Sequence, residues 1–262
     1  MPSVTRCETG DGVWRVTLSA AANGNAVNRA LIDELTRALT EACADDTCRA
    51  VVIAAEGTTF CRGLDLEAFF GYGELGDPRL PRRFAECLVQ IRQARVPVIA
   101  CVAGKVMGGG VGLVAACDMV LATPETSFML PEVIVGLVPA LIVPFLRLRV
   151  GMARLRYLTL STRGIPAAEA HGFGLVDHVA DAGLDQALED HLGRIFRSSP
   201  AALAETKRYF NALSAIDHPQ PLDQAVSRFT TWLEQPDIAE GAREFSQGLA
   251  PAWFARYRGR RW

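Results

Sequence analysis

The apolar residues in the first half of the chain fall into short runs that are typical of strands. Val13–Leu18 alternates apolar and polar residues, as a strand with one buried face does. Continuous apolar runs are typical of strands buried on both faces. The pattern predicts further strands at Arg49–Ala55, Pro97–Val102, Met119–Ala122 and Ser127–Met129.

Between these runs, apolar residues recur at helical spacing. The segments with this spacing are Asn28–Ala44, Leu80–Gln93 and Val111–Ala116. Strands that alternate with helices favour an α/β core in which the strands run parallel. We therefore expect an α/β fold.

The pattern changes after Gly183. From Leu184 to Ala250 the apolar residues keep helical spacing and prolines interrupt them, so four helices are predicted. We expect residues 1–182 to form a core that carries the functional site. Residues 183–262 would form a helical region that covers this site or packs on a neighbouring subunit. The basic tail Arg256–Trp262 is typical of a solvated chain end, or of one that meets a subunit edge or a phosphate.

Composition narrows the class of protein. Of the 262 residues, 50% are hydrophobic and 21% are charged, which excludes a disordered chain and a small disulfide scaffold. A net charge of −2 gives no reason to expect nucleic acid or an acidic membrane as a partner. The seven cysteines are odd in number and form no C-x-x-C, which favours a reducing compartment.

The same features predict where the protein resides. The N-terminus lacks the apolar segment of a signal peptide. The longest apolar stretch, Val133–Leu146, contains two prolines and is too short to span a bilayer. Every basic residue except Lys105 and Lys207 is arginine, a bias typical of a GC-rich bacterial genome. We expect a soluble, cytoplasmic bacterial protein.

Two glycine-containing segments are the strongest candidates for chemistry. Gly104–Gly112 opens a predicted helix, and Thr59–Leu66 follows a predicted strand. Glycines at the start of a helix let backbone N–H groups approach an anion, which the helix dipole also favours. N–H groups from the two segments could converge on one oxygen as an oxyanion hole. The alternative is a pair of glycine turns that serve only tight packing.

A dinucleotide site is a competing interpretation of the same glycines. Gly110-x-Gly112-x-x-Ala115 matches G-x-G-x-x-A, and Glu132 lies twenty residues beyond Gly112. That motif requires a strand directly before it, whereas about seven residues separate these glycines from the predicted strand. The spacing therefore does not favour a dinucleotide site.

Five motifs together are similar to those of one known family. They are Asn25–Asn28, Phe60–Asp65, Gly104–Asp118, Phe128–Glu132 and Glu169–Asp177. With these motifs the chain resembles the crotonase (enoyl-CoA hydratase/isomerase) superfamily from about Val13 to Val179, and more weakly in the helices beyond. The resemblance implies a spiral of ββα units with a C-terminal helical region, assembled as a homotrimer or hexamer.

The resemblance also implies a catalytic site. The backbone amides of Leu64 and Gly109 would form an oxyanion hole for a thioester carbonyl. Polarising this carbonyl stabilises an enolate, so that a carboxylate can deprotonate the α-carbon. Hydratases of the family carry two glutamates, of which the second falls on Glu132 and the first on Gly112, where the acid is absent. The apolar residues before Glu132 should raise the pKa of its carboxyl.

A finer resemblance is to the hydratase-like dehydratases of polyketide β-branching cassettes. It lies in Gly104–Asp118, Gly136–Leu146 and Arg156–Leu160. Those enzymes dehydrate a 3-hydroxy-3-methylglutaryl group, or a close relative, on an acyl carrier protein. Ala20–Gly24 lacks the basic residue with which CoA-binding members often meet the nucleotide. A substrate held on the phosphopantetheine of a carrier protein has no such nucleotide, although a CoA thioester remains open.

Substrate-binding residues are expected near the two glycine segments. Arg62 and Lys105 could pair with the glutaryl carboxylate or the pantetheine phosphate, or could be surface or interface cations. Asp65, with Glu67, could replace the missing acid, or Asp65 could only brace its loop. The motifs add three further binding residues, Gly110, Gly112 and Ala140.

Three other functions remain open. A double-bond isomerase needs only one glutamate, because one base can move a proton between two carbons. A decarboxylase of a glutaconyl thioester would form the enolate by losing carbon dioxide. A non-catalytic module that binds a carrier protein is the alternative from another class. We expect Lys207–Phe210 to close over the pantetheine arm, and we expect neither a cofactor nor a metal ion.

Overall fold

Ten strands form two sheets in the computed structural model, which describes residues 5–70, 79–214 and 219–255. In chain order they are β1 (Thr5–Gly10), β2 (Val13–Leu18), β3 (Ala50–Ala55), β4 (Thr59–Cys61), β5 (Val98–Val102), β6 (Lys105–Met107), β7 (Met119–Ala122), β8 (Ser127–Met129), β9 (Ile165–Pro166) and β10 (His178–Val179).

The two sheets are wound by a repeated unit. The larger sheet has the order β1-β2-β3-β5-β7-β10 and is parallel except for the β1–β2 pair. The smaller sheet has the order β4-β6-β8-β9, with only β9 antiparallel. The consecutive pairs β3–β4, β5–β6 and β7–β8 each give their first strand to the larger sheet and their second to the smaller one. The chain therefore winds as a spiral, as the family resemblance implies.

Ten α-helices lie in the described part of the chain. They are α1 (Arg29–Ala44), α2 (Leu66–Phe70), α3 (Leu80–Gln93), α4 (Gly109–Ala116), α5 (Val143–Ser161), α6 (Ala167–Gly172), α7 (Leu184–Ile195), α8 (Pro200–Ser214), α9 (Pro219–Leu233) and α10 (Pro236–Ser246), with short 3-10 helices at Ala21–Asn23 and Glu132–Val135.

Helix α4 lies at the centre of the core. Its residues from Gly110 to Ala116 are all buried. A helix that is apolar on every side is stable only inside a protein, so the sequence of α4 dictates its position. Its first residue, Gly109, is thereby held in the interior, where the functional site lies.

The predicted strands and helices of the core are confirmed to within two residues at each end. The strands that the pattern did not predict are mostly short. β4 and β6 have three residues each, and β9 and β10 have two. Alternation cannot be recognised over so few positions, and β1 is a polar edge strand.

The four C-terminal helices are confirmed between Leu184 and Ser246. Leu188 of α7 packs with Ile99 and Leu121 on the larger sheet. The division after residue 182 stays a prediction, and the basic tail Arg256–Trp262 lies outside the described residues. Within the described chain, no helix combines the length and the apolar character needed to cross a bilayer.

Of the segment Lys207–Phe210 that was predicted to close over a pantetheine arm, Lys207 does not fit this role, because its side chain ties α8 to the core. Closure by the other three residues stays a prediction. Its Nζ donates to Asp118 Oδ2 at 2.5 Å and to the Val96 carbonyl oxygen at 2.8 Å. Asp118 Oδ2 also accepts from the Val98 N–H at 2.7 Å. Lys207 is thus a mostly buried link between α8 and the starts of β5 and β7.

Lys207→Met is expected to lower the free energy of unfolding by about 2–3 kcal/mol, because Asp118 would lose its charged partner. Urea unfolding measures this loss. The control Arg208→Met removes an exposed cation on the same helix, and we expect it to change stability by less than about 0.5 kcal/mol. Unchanged stability of Lys207→Met would contradict the structural role.

Candidate active site

A cavity of about 470 Å³ lies where the two glycine segments, α3 and the C-terminal helices meet. Most of its wall is apolar. Among the described residues that line it, the ionisable side chains are Arg62, Glu67 and Glu132. Such a cavity, apolar with few polar groups, is typical of a small-molecule site.

The first glycine segment presents the Leu64 N–H to this cavity. The Val27 N–H donates to the Gly63 carbonyl at 2.8 Å, and the Asp65 N–H donates to the Val27 carbonyl at 3.0 Å. The carbonyl and the N–H of one trans peptide point in opposite directions. The Leu64 N–H therefore points away from Val27, and Leu64 lines the cavity.

The second segment meets the first at backbone distance. A Cβ atom on Gly63 would lie 2.9 Å from the Met107 carbonyl oxygen and 3.1 Å from the Gly109 nitrogen. Gly63 has a φ of 87° and Gly108 a φ of 50°, which side chains disfavour. Glycine at 63 is thus required both by its conformation and by the close approach of the two segments.

The start of α4 leaves a second N–H for a ligand. The Val111 and Gly112 N–H groups both donate to the Gly108 carbonyl, at 2.9 and 3.3 Å. The first N–H groups of a helix have no partner within the helix, and the Gly109 N–H has no backbone acceptor in the described residues. Among the described residues, neither the Leu64 nor the Gly109 N–H has a backbone acceptor, and both residues line one cavity, which is the arrangement of an oxyanion hole.

Glu132 borders this pair of N–H groups. Its Oε1 lies 3.3 Å from where a Cβ atom of Gly108 would be. Its Oε2 is inaccessible to solvent and has no hydrogen-bond partner in the described residues. Burial raises the pKa of Glu132 to about 7, as the apolar sequence before it predicted. A carboxyl with this pKa can accept and return a proton near neutral pH.

The structure gives Arg62 and Asp65 different positions relative to the cavity. Arg62 lies at the rim of the cavity, and its guanidinium contacts Asp65 Oδ1 at 3.3 Å. Asp65 is buried and does not line the cavity. The geometry thus favours Asp65 as a brace for Arg62, whereas Glu67 does line the cavity.

Of the six predicted binding residues only Arg62 lines this cavity, and four others besides Asp65 lie elsewhere, which corrects their assignment. Lys105 is exposed on β6, and Ala140 lines a separate groove beside α9. Gly110 serves packing, since its Cβ would lie 2.6 Å from the Cys61 carbonyl oxygen. A Cβ on Gly112 would lie 2.2 Å from Ile142 Cγ2.

The position of Ile142 leaves no room for a glutamate side chain at position 112. Ile142 lines the cavity and occupies the space into which a side chain at 112 would extend. A glutamate at this position would therefore require Ile142 to move.

Several wall residues were not predicted from the sequence. They come from α3, α9, α10 and the segment before α5, and include Phe84, Ile142, Phe229, Phe245 and Ser246. Apolar residues at helical spacing look alike whether they face a core or a cavity, so no local signal identifies them.

The fold and the site together define the class of protein. The chain belongs to the enoyl-CoA hydratase/isomerase family, whose model matches residues 8–256, and it has the crotonase fold. An enoyl-CoA hydratase from Mycobacterium avium shares this fold with a TM-score of 0.85 and 29% identity, over 97% of this chain and 100% of that one.

A second similarity is more specific. The bacillaene synthase dehydratase PksH of Bacillus subtilis is 33% identical over 210 residues, which are 79% of this chain and 78% of the relative. A crystal structure of PksH superposes with a TM-score of 0.84 and 25% identity, covering 93% of this chain and 97% of that one.

Gly112→Ala is expected to destabilise the protein by about 1–3 kcal/mol through the clash with Ile142, despite the better helix propensity of alanine. Ile142→Ala alone removes packing. Combined with Gly112→Ala, it also removes the clash with the new methyl group. The double variant should therefore be more stable than the sum of the single changes predicts, by about 1 kcal/mol or more in urea unfolding. Simple additivity would show that the two residues do not compete for this space.

Glu132→Gln is expected to make the protein more stable above pH 7, by up to about 3 kcal/mol. Because burial raises the pKa of Glu132 from 4.5 to about 7, the folded protein holds a proton that the unfolded chain releases. The stability of the native sequence therefore falls as the pH rises between these two values, and glutamine removes this fall. Urea unfolding from pH 4 to pH 8.5 measures the difference.

The control is Glu125→Gln, which removes an exposed carboxylate in the turn before β8. Its stability is expected to follow the native sequence at every pH. Parallel curves for Glu132→Gln and the native protein would show that the Glu132 carboxyl is not desolvated.

Proposed function

We propose that the protein is an acyl-thioester dehydratase. Its substrate is a 3-hydroxy-3-methylglutaryl-type group on an acyl carrier protein, and its pathway is polyketide biosynthesis. The observation that carries this proposal is the buried Glu132 Oε2, which has no hydrogen-bond partner among the described residues and shares a cavity with the N–H groups of Leu64 and Gly109.

The proposed reaction begins with the thioester carbonyl in the oxyanion hole. The two N–H groups stabilise the enolate oxygen while the Glu132 carboxylate removes the α-proton. The enolate then expels the β-hydroxyl, and Glu132 returns its proton to form water. One C–H and one C–O bond break, one C=C bond forms, and the carboxylate is regenerated. The reaction is redox-neutral, so the balance requires no cofactor.

A single carboxyl suits this sequence of steps. Its pKa of about 7 makes Glu132 an adequate base and, once protonated, an adequate acid. Ile142 occupies the space beside Gly112, the position on which the first glutamate of the hydratases falls. Loss and return of the proton on the same group therefore account for both halves of the elimination.

We infer the acyl group and its carrier from the similarity to PksH and from the distribution of basic residues in this chain. PksH is named as a dehydratase of bacillaene synthase, and the similarity to it extends over 79% of this chain. Arg62 is the one cation among the described cavity residues, and it could pair with a terminal carboxylate or a pantetheine phosphate. The segment Ala20–Gly24 has no basic residue for a nucleotide, which favours a carrier protein over CoA.

We also propose a homotrimeric or hexameric assembly in the bacterial cytoplasm. Helix α5 supports an assembly, because it exposes large apolar side chains at Leu148, Met152, Tyr157 and Leu160.

The test is to incubate the protein with 3-hydroxy-3-methylglutaryl carrier protein and to record the intact mass of the acylated carrier protein. The proposal predicts a loss of one water, and a further loss of carbon dioxide would add decarboxylation. The same acyl group on CoA is expected to react at least about tenfold more slowly. An unchanged mass, with an active dehydratase in a parallel reaction, would contradict the proposal.

Glu132→Gln is expected to lower the dehydration rate by roughly a hundredfold or more, because glutamine cannot take the α-proton. The rate of the native protein should rise with pH through about 7, as the carboxyl becomes ionised. Glu125→Gln is the matched control and should keep the native rate. Full activity in Glu132→Gln would exclude Glu132 as the base.

An enoyl-thioester isomerase is the second candidate. The observation that favours it is again the single buried carboxyl, since one base suffices to move a proton between carbons. Isomerisation leaves the mass unchanged but moves a double bond, which proton NMR of the released acyl group detects.

A further inference from the structure

Two tryptophans from the C-terminal helical region hold the turn that carries Glu132. The Trp232 Nε1–H donates to the Gly136 carbonyl oxygen at 2.7 Å. The Trp253 Nε1–H donates to the Ile134 carbonyl oxygen at 3.1 Å. Trp232 lies near the end of α9, and Trp253 follows α10, so both bonds join segments about a hundred residues apart in sequence.

The Trp253 ring occupies a slot made by two glycines. A Cβ atom on Gly136 would lie 2.6 Å from Trp253 Cη2, and one on Gly241 of α10 would lie 2.1 Å from the same atom. Gly136 has a φ of 77°, so its backbone also favours glycine. Gly241 lies inside α10, where alanine is the better helix former, so its lack of a side chain is explained by the ring.

The turn forms part of the cavity wall, and the two tryptophans bond to it without lining the cavity themselves. Ile134 and Leu137 of the turn line the cavity together with Phe229 of α9 and Phe245 of α10. Phe245 makes an edge contact with Phe254, the residue after Trp253, with ring centres 6.4 Å apart. Displacing Trp253 is therefore expected to loosen the turn that carries Glu132, because Trp253 bonds to Ile134 in that turn.

We propose that Trp253, supported by Trp232, is a positioning residue that keeps the Glu132 carboxyl dry and beside the Leu64 and Gly109 N–H groups. The inference rests on the proposed function only for what that carboxyl does in turnover. The structural part of the proposal is that exclusion of water from the Glu132 carboxyl depends on the docked indole of Trp253, which is distant in sequence.

Gly241→Ala tests this proposal without altering Trp253, Glu132 or any charge. The added methyl group would occupy the ring's position and expel Trp253 from its slot. The matched control is Gly193→Ala in α7, another helical glycine, whose nearest neighbouring atom would be 4.0 Å from the new Cβ.

The main readout is the protonation of Glu132, independent of any substrate. Infrared difference spectroscopy follows the C=O stretch of the buried carboxylic acid, which is assigned by its absence in Glu132→Gln. In Gly241→Ala we expect water to reach the carboxyl, so its titration midpoint should fall by about one pH unit or more. In Gly193→Ala the midpoint should not move.

Other charged groups near Glu132 stay the same in both variants. Arg62 and Glu67 share its cavity. Helices α5 and α10 pack against the turn, and α9 bonds to it through Trp232. Their ionisable residues are Arg147, Arg149, Arg154, Arg156 and Tyr157 on α5, Asp223 and Arg228 on α9, and Asp237, Glu240, Arg243 and Glu244 on α10. A shifted midpoint therefore reports solvation and not a changed charge.

Turnover of the carrier-bound substrate is the second readout. In Gly241→Ala the rate at neutral pH should fall by about tenfold or more, with a smaller change in KM. The native protein's own turnover tests the proposed function separately. Inactivity of the native protein with a normal midpoint shift in Gly241→Ala would reject the dehydratase and keep the positioning role.

An unmoved midpoint in a folded variant that has lost the docked indole overturns the proposal. Proton NMR of the indole N–H groups shows whether Trp253 has left its slot in Gly241→Ala. If this variant does not fold, or keeps Trp253 docked, Trp253→Phe removes the indole donor directly and is expected to lower the midpoint in the same way. A structural role alone would reduce thermal stability in either variant without moving the midpoint.

Discussion

The contact between Gly63 and the start of α4 is the constraint on which the site depends. The segment after β4 and the segment after β6 lie so close together that a Cβ atom at Gly63 would be 3.1 Å from the Gly109 nitrogen. Within the part of the chain that the structure describes, neither the Leu64 nor the Gly109 N–H has a backbone acceptor, so both are available to a ligand in the cavity. A developing oxyanion would then meet donors that need no rearrangement.

The small residue at position 112 of α4 determines which carboxyl groups the cavity contains. α4 has a glycine at 112, and Ile142 fills the space beside it, so Glu132 is the buried carboxyl of the described cavity. Its surroundings are apolar and leave Oε2 without a partner, and desolvation therefore favours its protonated form. A group poised in this way can take a proton from carbon and return it to oxygen.

The C-terminal helical region contributes to the site as well as to the fold. α9 and α10 supply Phe229, Phe245 and Ser246 to the cavity wall. The indole N–H groups of Trp232 and Trp253 satisfy carbonyls at the end of the Glu132 turn. This turn is a single 3-10 helix of four residues with no side-chain cap, and the two indole N–H groups add long-range hydrogen bonds to its local backbone ones.

The sequence by itself determined the alternation of core strands and helices, the four C-terminal helices, the family, and the loops that carry Leu64, Gly109 and Glu132. These features have local signals: apolar periodicity, glycines where side chains do not fit, and short motifs. Only the tertiary structure decided that Lys105 and Ala140 lie outside the cavity and that Lys207 links α8 to the core. It also decided that Ile142 lines the cavity and that Trp253 bonds to the turn that carries Glu132. The physical reason is that an apolar or cationic side chain has the same local pattern wherever it points, and its neighbours are set by packing between segments distant in sequence.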